Sequence, residues 1–381
     1  MISLIINLNN HSATTILLKS SEQKHRIIFI DLIRAFAVLQ MVQGHTINVL
    51  LAEGSRNSEL PLYALWYFMR GMTAPIFMFT AGIVFTYLFC SADKPFNINP
   101  RVKKGIKRGF LLIAIGYLLR YPTATIIDFS HVSENSWKVF FAVDVLHLIG
   151  ISLLAVLFLF FISEKFKLNN YFIFAANSAL VFFISLFIYN VNWVSFMPEP
   201  LAGYFYPATG SPFPFFPWAG YVIAGGVLGS YLASHPMVFK TARFSLMLAL
   251  FGVLFILVSM LSDFVFSYFN LPVYISQANP GLILFRVGFV LLLNAVVSYI
   301  TLRAERIPGF IITVGRNTLL IYVVHLLILY GSAWNPGISK LWAKSFNGWE
   351  AFGAAVLMLS LMSLMVFYLH KLKIKNKELV T

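Results

Sequence analysis

From Ile27 almost to the end of the chain, apolar stretches of bilayer-spanning length follow one another, and this succession leaves few folds open. Ten stretches lie near residues 27–50, 62–90, 105–121, 138–162, 171–190, 213–233, 243–268, 281–303, 310–332 and 350–370. Each approaches the 17–25 residues that a helix needs to cross a hydrocarbon core. The runs are continuous rather than alternating, which argues against an outer-membrane barrel. Only 11% of residues are charged, against about 25% in soluble domains. The expectation is an all-α, polytopic integral membrane helical bundle of about ten transmembrane helices. The second span contains Gly71, Pro75 and Gly82, which predict a bend or break. The third is short and ends at Arg120, whose side chain is expected to snorkel to the interface.

The net charge of +14 raises the question of a nucleic-acid partner, but the positions of the cations answer it differently. With the N-terminus in the cytoplasm, nineteen of the 28 Lys and Arg residues fall in cytoplasmic segments, five on the far side and four inside spans. That asymmetry is the positive-inside signature, and it puts both termini in the cytoplasm. The sequence then divides into a cytoplasmic N-terminal segment (1–25), a single transmembrane domain (26–371) and a basic cytoplasmic tail (372–381). The early MISLIINL run lacks a basic flank and a small-residue cleavage pattern, so it does not read as a signal peptide. The expected location is a bacterial inner (cytoplasmic) membrane, with membrane lipid as surroundings and a homo-oligomer compatible with the sequence. A single cysteine, Cys90, permits neither an intramolecular disulfide nor a thiolate zinc cluster, and no metal is expected.

The first span is costly for a membrane helix. It carries Asp31, Arg34, Gln40, Gln43, His45 and Asn48, and an ionisable residue at a span's centre costs about 2.5–3.5 kcal/mol on the insertion scale. Such residues face a bundle interior or a watery cavity and are functional by default. At about 100° per residue, Arg34 and His45 point within about 20° of each other, with Asp31 and Asn48 within about 60°. Asp31 and Arg34 lie at the cytoplasmic end of this stripe, His45 and Asn48 at the outer end. The bland alternatives are a histidine that only hydrogen-bonds between helices and an Asp31–Arg34 ion pair near the interface.

Two later spans add candidates. VDVLHLIG puts Asp144 and His147 one turn apart on one helical face, where a carboxylate can orient and activate an imidazole or simply fix packing. VGRNTLLIYVVHLLILYG groups Thr318, Tyr322 and His325 on one face. If that helix is continuous, Arg316 points to the opposite face at the cytoplasmic entry, suited to an anionic substrate or a lipid phosphate. Arg70 and Arg286 lie in outer parts of their spans. The long outer connection 190–212 and the following PFPFFPW suit an interfacial aromatic belt or a lid over an acceptor. Gly225, Gly226 and Gly229 allow close helix packing. No Walker loop, HExxH, GxSxG elbow or Rossmann fingerprint occurs, so ATP-driven transport and metalloprotease activity are unsupported.

At these residues the chain resembles a known family. FIDLIRAFAVLQMVQGH is similar to the opening of the heparan-alpha-glucosaminide N-acetyltransferase-like membrane proteins and of the wider transmembrane acyltransferase superfamily. APIFMFTAGIVFTYL, VDVLHLIGISL, SPFPFFPWAGYVIAGGVLG and VGRNTLLIYVVHLLILYG resemble later blocks in the same order, and the likeness extends over about residues 26–335. The resemblance implies a multi-span fold in which cytoplasmic acetyl-CoA donates an acyl group to an acceptor on the far side. It matches Arg34 and His45 to an arginine–histidine spacing of the superfamily. Some of those enzymes carry a glutamate eleven residues after the histidine; here that position is Arg56, and the nearest carboxylate is Glu53. The lysosomal branch has asparagine at the position of His45 and its histidine in the following loop, whereas this chain has no histidine between His45 and His131.

The resulting expectation is acetyl, or short acyl, transfer to an extracytoplasmic sugar hydroxyl or amine of a carbohydrate or glycolipid. Acetyl-CoA would serve as donor co-substrate, held by Asp31, Arg34, Arg316 or the basic Lys103–Arg108 loop. His45 would take the acceptor's proton or briefly carry the acyl group, oriented by Asp144 or His147, with His325 or Asn48 donating to the oxyanion. The rival is a proton-coupled transporter or flippase of a sugar or lipid intermediate, using the same residues as a relay. A non-catalytic scaffold is the third reading.

Overall fold

The computed structural model describes residues 27–269, 277–304 and 306–378, with side chains described up to residue 373. The expected N-terminal segment (1–25) and the end of the basic tail lie outside the described residues. The chain is an all-α integral membrane bundle. Its long helices are α1 (Ile28–Leu50), α2 (Pro61–Cys90), α3 (Pro100–Leu119), α4 (Glu134–Phe141), α5 (Val145–Lys165), α6 (Asn170–Ile188), α7 (Phe215–Ser234), α8 (Ala242–Tyr268), α9 (Pro280–Arg303), α10 (Gly309–Arg316), α11 (Thr318–Leu329) and α12 (Gly348–Glu378). Sheet among the described residues is confined to a two-residue hairpin, Gly331–Ser332 against Asn335–Pro336.

All ten expected spans are helical, yet among the described residues only eight helices are long and apolar enough on those grounds to cross a bilayer, or nine if one bent pair counts as a span. The other two depart for physical reasons. α3 begins at Pro100 and carries Arg101, Lys103, Lys104, Lys107 and Arg108 in its first half, so the expected Lys103–Arg108 loop is helix. The expected span 310–332 is a bent pair: α10 and α11 meet at 74°. Asn317 causes no steric break; its side chain instead bonds the Thr313 carbonyl (2.8 Å) and closes the last turn of α10. Span 138–162 is also interrupted, because α4 stops at Phe141 and α5 starts after Asp144. Conversely, α2 runs unbroken through Pro75 for 30 residues. The proline cannot bond the Gly71 carbonyl, and Gly71 faces a cavity rather than a neighbouring helix.

Close packing fixes the bundle where glycines meet backbone. A Cβ on Gly82 of α2 would lie 1.9 Å from the Val222 carbonyl oxygen of α7, and one on Gly225 2.0 Å from that of Phe79. Neither position tolerates a side chain, so α2 and α7 touch along their main chains. α7 is thus an interior helix, 72% buried over its apolar window, whereas α8 and α12 are 28% and 22% buried. Leu250, Leu254, Leu257, Leu261 and Phe264 of α8 are exposed, as a lipid-facing surface requires. The apolar interior centres on Ile33, Val38 and Val42 of α1, Ile76 and Met78 of α2, Val222 of α7 and Ile321 of α11.

α1 therefore lies inside the bundle, and two contacts fix its ends. Near its start, a Cβ on Gly315 would lie 2.0 Å from the Asp31 carbonyl oxygen, so α10 abuts α1 directly. At its finish, the loop before α12 folds back: Lys344 N donates to Val49 O and Phe346 N to Leu50 O, both at 2.9 Å. Lys344 also pairs with Glu53 at 2.5 Å, and this hydrogen bond holds the Glu53 carboxyl below the usual range.

Candidate functional site

The polar stripe of α1 faces two cavities, arranged end to end along the helix. The smaller, about 290 Å³, takes Arg34 from α1 and Arg101, Lys104 and Arg108 from α3, with Thr80, Thr318 and an apolar inner wall. Positions i, i+3 and i+7 share one helical face, so the three α3 cations converge on it. The larger, about 1,320 Å³, takes Gln40, His45 and Asn48 from α1, together with Arg70, Asp144 and Arg286. Phe77, Leu146 and Tyr322 line both cavities and form the wall between them.

His45 is held by His325 of α11, 280 residues away in sequence: His45 Nδ1 lies 3.0 Å from His325 Nε2. His325 Nδ1 is 2.8 Å from the Ile321 carbonyl oxygen, which only accepts. His325 Nδ1 must therefore carry a proton, and in the neutral ring Nε2 is then the acceptor. The hydrogen-bond pattern consequently assigns the Nδ1–H tautomer to His45 and leaves a lone pair on its Nε2. His325 is fully buried, while His45 is partly exposed to the larger cavity, with the Tyr330 ring edge-on at 6.1 Å. With both nitrogens occupied, His325 has no N–H left for an oxyanion. It orients His45 instead. Asn48, one turn further along α1, lines the same cavity.

Asp144 and His147 are arranged otherwise. Asp144 is not within a helix: it caps α5, its Oδ1 accepting from Val145 N at 2.7 Å. His147 Nδ1 accepts from Asp144 N at 3.1 Å and completes a reciprocal capping box. His147 Nε2 is buried without a partner among the described residues, and its ring packs edge-on to Tyr117 at 4.3 Å. His147 lines neither cavity. Asp144 does line the larger one, where its Oδ2 accepts from Arg120 at 2.8 Å. Arg120, expected to snorkel, turns inward and also donates to Ala142 O at 3.2 Å, tying the end of α3 to the break between α4 and α5.

At the other end of the stripe, Arg34 donates to Thr318 Oγ1 at 3.3 Å and lies 3.9 Å from Asp31. Asp31 is buried and lines neither cavity. Arg316 is exposed at the α10–α11 bend and also lines neither. Sequence reasoning singled out His45, Asn48, Asp144, His325 and Arg34, which lie in or directly behind the two cavities. It missed the shared wall and the inward role of Arg120. The grouping of Tyr322 with His325 on one face was the available signal for the wall. The outer connection does more than mark an interface, because Thr209, Gly210 and Pro212 line the larger cavity and Ser211 Oγ accepts from Val143 N at 2.9 Å.

Two comparisons with known proteins bear on this geometry. No curated protein sequence matches the chain significantly. The family described as "Heparan-alpha-glucosaminide N-acetyltransferase, catalytic" matches residues 26–257, which is more than half of the chain. The matched segment contains Arg34, the α3 cations, His45 and Asp144. With the polar stripe, the two cavities and that match in view, the chain belongs to the heparan-alpha-glucosaminide N-acetyltransferase catalytic family.

Proposed function

We propose that the protein is a transmembrane acetyltransferase of a bacterial inner membrane, moving an acetyl group from cytoplasmic acetyl-CoA to an extracytoplasmic sugar hydroxyl or amine. The observation that carries this reading is the pair of adjoining cavities, both lined by Phe77, Leu146 and Tyr322. The smaller cavity suits an anionic thioester: its cations match phosphates, and its apolar inner wall matches an acyl-pantetheine arm. Cation placement over the whole chain supports the cytoplasmic assignment of that side. The larger cavity suits a polar acceptor.

His45 has a lone pair on Nε2 and can take the proton of an acceptor hydroxyl or amine as that atom attacks the thioester carbonyl. The acceptor–carbonyl bond forms, the carbon–sulfur bond breaks, and the imidazolium returns its proton to the departing thiolate. His325 keeps the ring in the required tautomer, and Asn48, which lines the same cavity, is the candidate to donate to the oxyanion. Transfer through an acyl-His45 intermediate would use the same lone pair.

Membranes containing the protein, incubated with acetyl-labelled acetyl-CoA, should transfer label to a carbohydrate or glycolipid. A transporter would not consume the thioester, so protein-dependent release of free coenzyme A separates the two readings. If label stays on acetyl-CoA in the presence of envelope glycans and lipids, acetyl transfer is the wrong function.

A further inference from the structure

The larger cavity has a second polar focus, on its α7–α9 wall. Among the cations lining the cavity, Arg120 is matched by Asp144 at 2.8 Å and Lys138 by Glu134 at 2.8 Å, while the half-buried Arg70 lies 5.9 Å from the centre of the Trp66 ring. Arg286 of α9 is different. It is 6% exposed, and no carboxylate among the described residues lies within ion-pair distance of it. Its Nη1 donates to Gln277 Oε1 at 2.6 Å, and its guanidinium lies 5.2 Å from the centre of the Trp218 ring. Arg286 Nε is buried without a partner among the described residues, as is Trp218 Nε1. The Trp218 and Tyr221 rings are 5.8 Å apart.

Both unmatched groups can only donate. Burying a guanidinium without a counter-charge is costly, and leaving neighbouring donors unmade adds to that cost. An oxyanion bound where Arg286 lines the cavity would supply the missing counter-charge, and Arg presents its N–H groups in a fork that fits carboxylate and phosphate. Arg286, Trp218 and Gln277 all line the cavity that His45 faces, so an anion seated there leaves the rest of its carrier in the same space.

We propose that the Arg286–Trp218–Gln277 wall is a binding site for the anionic group of a sugar, either a uronate carboxylate or a sugar-linked phosphate. This deepens the acyl-transfer reading by giving the acceptor a charge, and it depends on that reading only for the role of acceptor. The site is distinct from the basic cavity assigned to the donor; Trp218 lies within the family match, whereas Gln277 and Arg286 lie beyond it.

Thermal-shift titrations of the purified full-length protein test the site with glucuronate, glucose 1-phosphate, glucose and inorganic phosphate. Saturable stabilisation by either anionic sugar, at concentrations where glucose has no effect, supports the proposal, and the two arms tell carboxylate from phosphate. Arg286→Gln should weaken that binding about ten- to a hundredfold, the size expected for losing charge-assisted hydrogen bonds. Trp218→Phe, which keeps an aromatic face but shrinks the ring beside the Arg286 guanidinium, should weaken it a few-fold and serves if the arginine variant does not fold. Equal shifts with glucose, no shift with any sugar, inorganic phosphate matching the sugar phosphate, or a folded Arg286→Gln protein binding like wild type would each overturn it. Acetylation assays separate the two claims. Anionic-sugar binding without acetyl transfer removes only the catalytic reading. Transfer to neutral sugars that ignores Arg286→Gln removes only this one.

Discussion

His45 and His147 look alike in the sequence, since each lies in an apolar span with another polar group about one turn away. Their surroundings give them opposite capacities. The Nδ1 of His45 donates to a second histidine that is itself fixed by a backbone carbonyl, which leaves the Nε2 lone pair toward a cavity. The Nδ1 of His147 accepts from a backbone amide in a capping box, which leaves an N–H that points into packed protein. A buried histidine is therefore informative only with its hydrogen-bond partners known. One partner frees a lone pair for chemistry; the other consumes it to start a helix.

The largest test of this contrast is His45→Ala. Turnover of acetyl-CoA should fall about 10²–10⁴-fold, the usual worth of a placed general base, with expression and thermal stability close to wild type. Undiminished turnover would remove the distinction altogether. Next is His325→Ala, which leaves the base present but its tautomer and angle unset. A loss in kcat of about 10–100-fold is expected, similar to removing the partner that orients a metal-bound histidine. The KM for acetyl-CoA should not change, and a pure KM effect would mean that His325 serves binding instead. A smaller effect is expected from neutralising the basic cavity. Arg101→Gln, Lys104→Gln and Arg108→Gln should each raise the KM for acetyl-CoA by up to about tenfold at nearly constant kcat, as expected for single charge-assisted hydrogen bonds. The least effect on chemistry belongs to His147→Ala. It should lower stability by about 1–3 kcal/mol, because the Asp144 amide loses its acceptor, while turnover per folded molecule is retained. A folded but inactive His147 variant would make the two histidines equivalent again.

The apolar runs were readable because a bilayer demands them whatever the tertiary packing, although eight helices, or nine with the bent pair, qualify among the described residues where ten spans were expected. Interruptions inside those runs were not. Asp144 is an ordinary N-cap residue, but apolar residues on both sides of it hide the cap within a seemingly continuous span. Asn317 breaks the ninth span with neither proline nor glycine beside it, through a side-chain bond to the preceding turn. The polar face of α1 was legible from helical spacing alone: Arg34, Gln40, His45 and Asn48 line the cavities, whereas Asp31 and Gln43 do not. Partners distant in sequence were not legible: nothing local to His45 points to His325, and nothing local to Arg120 points to Asp144. Arg316 illustrates the cost of assuming continuity. Its expected direction relative to His325 relied on one straight helix, and the 74° bend removes that relation.

The most direct test of transfer across the membrane is a sided assay in proteoliposomes. Labelled acetyl-CoA is supplied at the face bearing the α3 cations, and a glycan acceptor is supplied only at the face onto which the His45 cavity opens. The account predicts labelled acceptor with wild-type protein and background with His45→Ala. Equal labelling by the two proteins, or labelling only when donor and acceptor share a face, would contradict it.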